Sequence, residues 1–290
     1  VDRRELLDRI RTFPLVAEDL AEDLLSGDFR SVFKGQGIEF DEVRHYQRGD
    51  DVRSIDWNVS ARFGTPYVKL FREERELTVC LVLDASASMR SGGGTVSRYD
   101  QAVLAGALIA FSAEQAGQRV GAVLFDQGIR RVVPPRKGRT HAMALVMGLL
   151  ADQALGPRSD LGVALTGAGR LLKRRSLVVV ISDFLCVAWE RELGVLARRH
   201  DIVALRISDP VDYALPNAGL VYVRDPETGL ELHAPTGFAA FRGAWNQWHA
   251  DRTEAWRALC RRHGVAALEL ATDQDAPTVL AGFFGRRRRP

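Results

Sequence analysis

Four short runs of almost unbroken apolar residues, LTVCLVL (77–83), RVGAVLF (119–125), SLVVVIS (176–182) and DIVALRI (201–207), recur along a chain of 290 residues. Apolar side chains at successive positions need cover on both faces, which strands receive in parallel sheets. The segments between the runs have helical patterning, among them 98–115, opened by Ser97 and Asp100 as a capping box and stopped by Gly117. Helices are also expected over 139–153, 160–172 and 236–263. The alternation predicts an α/β domain: a Rossmann-like, mostly parallel sheet flanked by helices, with right-handed crossovers. GIRRVVP (128–134) should pair with RVGAVLF as a hairpin, VYVR (221–224) with LELH (230–233) as a second, and VAALEL (265–270) is the last strand.

Ahead of this domain, residues 5–26 suggest two short helices broken at Pro14, followed by an irregular strand-and-loop stretch. In that stretch Arg44, Arg48, Arg53 and Arg62 interleave with Asp50, Asp51 and Asp56 around Tyr46 and Trp57, which suggests paired charges with aromatic anchors. The expected organisation is 1–75 as an N-terminal module, 76–275 as the α/β domain, and 276–290 as an Arg-rich C-terminal tail, with its last residues, GRRRRP, expected to be disordered.

Composition excludes more than it selects. The balance of 40 Lys+Arg against 37 Asp+Glu is too even to argue for nucleic acid or a membrane surface. No apolar run approaches the roughly 18 residues of a membrane span, so a soluble chain is expected. Val1 in place of Met is consistent with an unusual start codon or a removed N-terminal segment. The three cysteines, Cys80, Cys186 and Cys260, are odd in number, widely spaced and in apolar contexts. They read as buried thiols in a reducing compartment, giving a cytoplasmic expectation. Zinc-type His/Cys spacing, a phosphate-binding GxxxxGK[ST] loop and a GxSxG elbow are all missing from the sequence.

Chemistry concentrates at the strand ends. LDASASM (83–89) places Asp84, Ser86 and Ser88 just beyond the first apolar strand, and the third run is followed by Asp183. Ser159 and Asp160 sit at a loop-to-helix junction between them. Ligands of open α/β sheets bind outside the carboxyl ends of the strands, so three loops can converge there with oxygen donors alone. Such a set suits a hard cation, foremost Mg²⁺, with Mn²⁺ or Ca²⁺ as alternatives. Either Ser159 or Asp160 could face it. Asp126 and Asp209 also follow strands, but a hairpin turn and the following Pro210 assign both to turn chemistry, and Arg48-Gly49-Asp50 is read as scaffold.

The D-x-S-x-S at 84–88, the middle-loop hydroxyl and Asp183 resemble the von Willebrand factor type A domain and its metal-ion-dependent adhesion site. The resemblance implies Ser86 and Ser88 as direct ligands, Ser159 in the place usually held by Thr, and Asp84 and Asp183 contacting the metal or its waters. Residues 35–74, GQGIEFDEVRHYQRGDDVRSIDWNVSARFGTPYVKLFREE, resemble the signature of the bacterial "domain of unknown function 58" family. That resemblance implies an adaptor or co-chaperone, not an enzyme, working with a MoxR-type AAA+ ATPase to assemble or activate other proteins. Two alternatives stand beside it: a Mg²⁺-dependent phosphatase-like hydrolase, which would need D-x-D where this chain has Ser86, and a nucleic-acid-binding protein using Arg-rich surfaces.

Overall fold

The computed structural model describes residues 38–47, 50–73, 77–152, 156, 158–224 and 229–286. The helices expected over 5–26, the Arg48-Gly49 part of the RGD tripeptide and the arginines beyond 286 lie outside these residues. The described chain divides into two compact units, one within 31–76 and one from Leu77 onward.

In the smaller unit, β1 (Ile38–His45) and β2 (Tyr67–Glu73) form an antiparallel pair with a register shift between Phe40 and Glu42. Between them lies α1 (Trp57–Phe63), capped by the Asp56 carboxylate and stopped by Gly64 at φ 68°. Gly64 adopts the left-handed conformation that ends a helix without the Cβ penalty. Arg44 holds Asp50 through two hydrogen bonds of 2.9 and 2.7 Å, so one of the expected charge pairs exists. Trp57 does not anchor it, being 67% exposed.

The larger unit is built on a six-stranded sheet ordered β10-β7-β6-β3-β4-β5. Its strands are β3 (Thr78–Asp84), β4 (Arg119–Phe125), β5 (Ile129–Arg136), β6 (Leu177–Ser182), β7 (Asp201–Ser208) and β10 (Ala266–Ala271). All neighbours are parallel except β4 and β5, the expected first hairpin. The second hairpin, β8 (Leu220–Arg224) with β9 (Glu231–Pro235), forms its own two-stranded sheet.

Central β3 shows why its run is apolar throughout: Val79 to Asp84 are all buried. On one face α2 (Arg98–Gln115) brings Gly106 against Leu81, Leu83 and Ile181. On the other, Cys80 and Val82 join a core with Leu161, Ala164, Leu165 and Ala168 of α4 (Leu161–Leu171). Helices α3 (Arg139–Ala151), α5 (Glu190–Ala197), α6 (Pro210–Tyr213) and α7 (Ala239–His263) complete the flanks. Strand order reverses around β3: the chain first runs outward through β4 and β5, then returns to β6 on the other side.

One expectation fails here. Residues 276–286, assigned to the Arg-rich tail beyond the α/β domain, form α8 (Ala276–Arg286), with Leu280 and Phe284 fully buried. Asp275 caps this helix through the Thr278 amide (3.1 Å) and hydroxyl (2.7 Å). The arginine run drew attention away from the apolar face that precedes it. Leu280→Ala should therefore cost about 3 kcal/mol by leaving a cavity. Urea unfolding should show a lower midpoint with an unchanged slope.

Candidate functional site

Asp84 ends β3, and Asp183 directly follows the adjacent β6, so both carboxylates emerge where the strand order reverses. The loop between them and β4 is stitched by backbone contacts. Ala85 N–H donates to the Phe125 carbonyl (2.7 Å), Ala87 N–H to the Gly156 carbonyl (3.0 Å), and Asp160 N–H to the Asp126 carbonyl (2.7 Å). The middle loop is thereby laid beside the D-x-S-x-S loop.

The side chains then meet. Ser159 Oγ donates to Asp84 Oδ2 at 2.9 Å, while Asp84 Oδ1 accepts the Ser86 amide at 2.9 Å. Ser86 Oγ and Ser88 Oγ lie 3.1 Å apart at the start of a short 3₁₀ turn, Ala87–Arg90. Asp183 Oδ1 accepts the Leu185 amide at 3.0 Å, whereas its buried Oδ2 has no hydrogen-bond partner among the described residues. Asp84 and Asp183 are 0% and 2% exposed. No ion pair to either carboxylate is found among the described residues. Burial, then the Asp183 charge, push the Asp84 carboxyl up to about 7, against the opposing hydrogen bonds of Ser182 and Ser86.

Of the expected residues, Asp84, Ser86, Ser88, Ser159 and Asp183 are thus gathered at one strand-end cluster. Asp160 is not: its carboxylate caps α4 through the Val163 amide (3.0 Å), leaving Ser159 as the middle-loop residue on Asp84. Asp126 follows its turn reading, accepting the Gly128 amide and pairing with Arg130 at 3.0 Å. Asp209 likewise caps α6 and also receives the Gly93 amide and the Thr272 hydroxyl.

Two neighbours were missed. Ser182 Oγ donates to Asp84 Oδ2 at 2.7 Å, although as the last residue of an apolar strand it read only as strand. Cys186, read as an apolar-context thiol, is partly buried, and burial, then the Asp84 charge, push its thiol up to about 12. Its position three residues beyond Asp183 was the available signal.

Among the described residues the donor set at this cluster is carboxylate and hydroxyl oxygen, without imidazole. Among the described residues no group of three or more His, Cys, Asp or Glu could hold a metal. A cation here would rest on two carboxylates with serine hydroxyls. Such a set fits a hard ion, and the partnerless Asp183 Oδ2 is the atom that most needs one.

Gly156 shows how tightly the loop is placed, because a Cβ there would lie 2.3 Å from Asp126 Oδ2. Gly156→Ala should force the Asp126 side chain or this loop to give way, and a thermal melt should show a modest loss in melting temperature.

Comparison with known proteins is consistent with this architecture. The family described as "Protein of unknown function DUF58" matches residues 42–255. The uncharacterized protein Rv1480 of Mycobacterium tuberculosis is 35% identical over 292 residues, covering 100% of this chain and 92% of its own. Among solved structures, the conserved hypothetical protein BatB from Bacteroides thetaiotaomicron overlays with a TM-score of 0.50 at 15% identity, over 73% of this chain and 98% of its own. An aerotolerance-related membrane protein from Bacteroides fragilis gives 0.49 at 15% identity, over 73% and 98%. The SpRpn10 VWA domain gives 0.40 at 11%, over 73% and 95%. The likeness to BatB extends to the fold, an α/β sheet of mostly parallel strands flanked by helices.

These likenesses correct the cytoplasmic expectation, since the fold occurs in a protein described as a membrane protein. The thiols were a poor guide because a buried free cysteine behaves as a small apolar side chain in any compartment. Among the described residues no helix is long and apolar enough to cross a membrane.

Proposed function

This chain belongs to the DUF58 family, and from that premise we propose that it is a protein-interaction module whose strand-end site binds a divalent cation and through it docks a carboxylate of a partner protein. The observation that carries this reading is the pair of buried carboxylates, Asp84 and Asp183, with one oxygen left without any partner. Two such groups buried side by side repel each other when both are charged, and a bound cation relieves both while leaving them ionised. Asp84, Ser86, Ser88, Ser159 and Asp183 would hold the ion, Mg²⁺ first, with Mn²⁺ or Ca²⁺ as substitutes. When bound, the ion offers a coordination position that a partner's carboxylate can take in place of water.

The chain acts by binding and does not catalyse. Ser86 stands where a phosphatase of the D-x-D kind needs its general acid. The family resemblance further supports a MoxR-type AAA+ ATPase, or a protein that ATPase acts on, as partner, in an adaptor or co-chaperone role. The test is calorimetric titration of Mg²⁺ and Mn²⁺ into wild type and Asp84→Ala, with the fold of each checked by circular dichroism. Binding by wild type that is lost in Asp84→Ala is the expected result. No binding of either ion to folded wild type would overturn the proposal.

A further inference from the structure

The loop that follows Asp183 is built in an unusual way. Phe184 and Ala188 take φ values of 54° and 62°, the non-glycine residues with positive φ among those described. Such backbone costs energy and persists where the surrounding structure fixes it. Here the fixing groups are identifiable. Phe184 and Trp189 are buried, with their rings 5.3 Å apart, and Phe184 also meets Trp256 at 5.6 Å. Arg206 Nε donates to the Asp183 carbonyl at 3.3 Å, Arg252 to the Leu185 carbonyl at 2.7 Å, and Trp189 Nε1 to the Cys186 carbonyl at 3.1 Å.

Between two buried aromatic anchors, one apolar side chain is turned outward: Val187 is 76% exposed. It lies two residues beyond Leu185, whose amide bonds Asp183 Oδ1 of the carboxylate cluster, so it belongs to the loop that borders that cluster. The same Arg252 that grips the loop lies 4.9 Å over the ring of Trp248, which is 49% exposed. An aliphatic knob, an aromatic face and a guanidinium therefore flank the proposed cation site on one side.

We propose that Val187, Trp248 and Arg252 form a docking surface for a partner protein segment that presents a carboxylate to the cation and an aliphatic or aromatic side chain beside it. The inference rests on the cation reading above and adds the partner's chemistry to it. Its grounds are the strain spent on displaying Val187, continuity with the cation site, and the match of a cation and a guanidinium to an acidic segment. An acid alone would find little apolar contact, whereas an acid with an apolar neighbour buries Val187 as it docks.

The experiment uses the full chain in Mg²⁺ as bait for a displayed library of random 12-residue peptides, followed by affinity measurement on synthetic copies of those enriched. The expected result is peptides pairing Asp or Glu with a neighbouring aliphatic or aromatic residue, released by chelation. Val187→Asp and the milder Val187→Ser should bind them about tenfold more weakly or worse, with calorimetric Mg²⁺ affinity unchanged. Val187 is exposed, so neither variant should disturb folding. Peptides that need Mg²⁺ but bind both variants as well as wild type would overturn the surface while leaving the cation site standing. Failure to enrich any acidic peptide on Mg²⁺-loaded protein would do the same. If wild type binds no Mg²⁺ at all, the cation reading falls and takes this inference with it.

Discussion

Metal-free protein carrying Asp84→Asn is expected to melt several degrees above metal-free wild type at pH 8, and Mg²⁺ is expected to stabilise wild type alone. The Asp84 carboxyl is held at about 7, from an ordinary value of 3.8, by burial and by the Asp183 charge. Because the folded value is raised, the folded state keeps a proton between those two pH values that the unfolded chain has lost. Stability must then fall as pH rises through that window, and the full cost is present above about pH 7. Asparagine removes the charge while keeping an acceptor for the Ser86 amide. Its advantage should disappear below about pH 4, where Asp84 is protonated in both states. In a domain of this size, roughly 2–4 °C accompanies each kcal/mol. Mg²⁺ must also displace the remaining proton, so its affinity for wild type should rise from pH 6 to pH 8. Thermal melts of both proteins at pH 4, 6 and 8, with and without Mg²⁺, test all of this. An Asp84→Asn variant less stable than metal-free wild type at pH 8 would mean that the carboxylate is already compensated.

Asp212→Ala should destabilise the fold by roughly 3–5 kcal/mol, because it strands a buried cation. Arg98 and Asp212 meet at 2.6 Å with side chains each 5% exposed, and Arg98 Nε already lacks a partner. Asp212 also closes the capping box of α6 by accepting the Asp209 amide at 3.0 Å. His249 cannot replace the lost anion in either protonation state, and burial, with help from Arg206, Arg98 and Arg252, holds its pKa below the ordinary value despite Asp212. The double variant Arg98→Met/Asp212→Leu should regain much of the loss, since no orphaned charge remains. Urea denaturation of the single and double variants decides the matter. A single variant within 1 kcal/mol of wild type would show that water reaches this pair. Arg98 also donates to Ser91 Oγ, which in turn bonds the Ser88 carbonyl, so the single variant should weaken Mg²⁺ binding as well.

The strands were legible because β3, β4, β6 and β7 are covered on both faces, and that demand leaves their middles almost wholly apolar, with buried Arg206 of β7 as an exception. Asp84 and Asp183 stood out as the first charges after such runs. Ser182 did not, since a serine closing an apolar strand gives no sign that its hydroxyl turns toward a carboxylate on the neighbouring strand. The choice between Ser159 and Asp160 needed coordinates, as both residue types cap helices and only loop geometry turned one of them inward. Helix α8 was hidden by its neighbours, the arginines suggesting solvent while Leu280 and Phe284 pack inside. Trp57 shows the opposite error, an aromatic residue taken for an anchor that lies on the surface.

Strand β5 closes one side of the sheet, and its make-up bears on how the protein can associate. It carries Arg130, Arg131 and Arg136, contains Pro134 and Pro135, and pairs with β4 through two register shifts. Prolines withhold amide donors, clustered positive charge repels a second copy, and irregular pairing twists the rim away from flatness. Edge-to-edge zippering into fibres or sheet-extended dimers is therefore discouraged on that side. The tips of the strands offer a different kind of contact, made by side chains and, as proposed, one ion. A bond of that kind can be undone by withdrawing a single cation, whereas a zipped edge would require a whole row of amide contacts to be broken together.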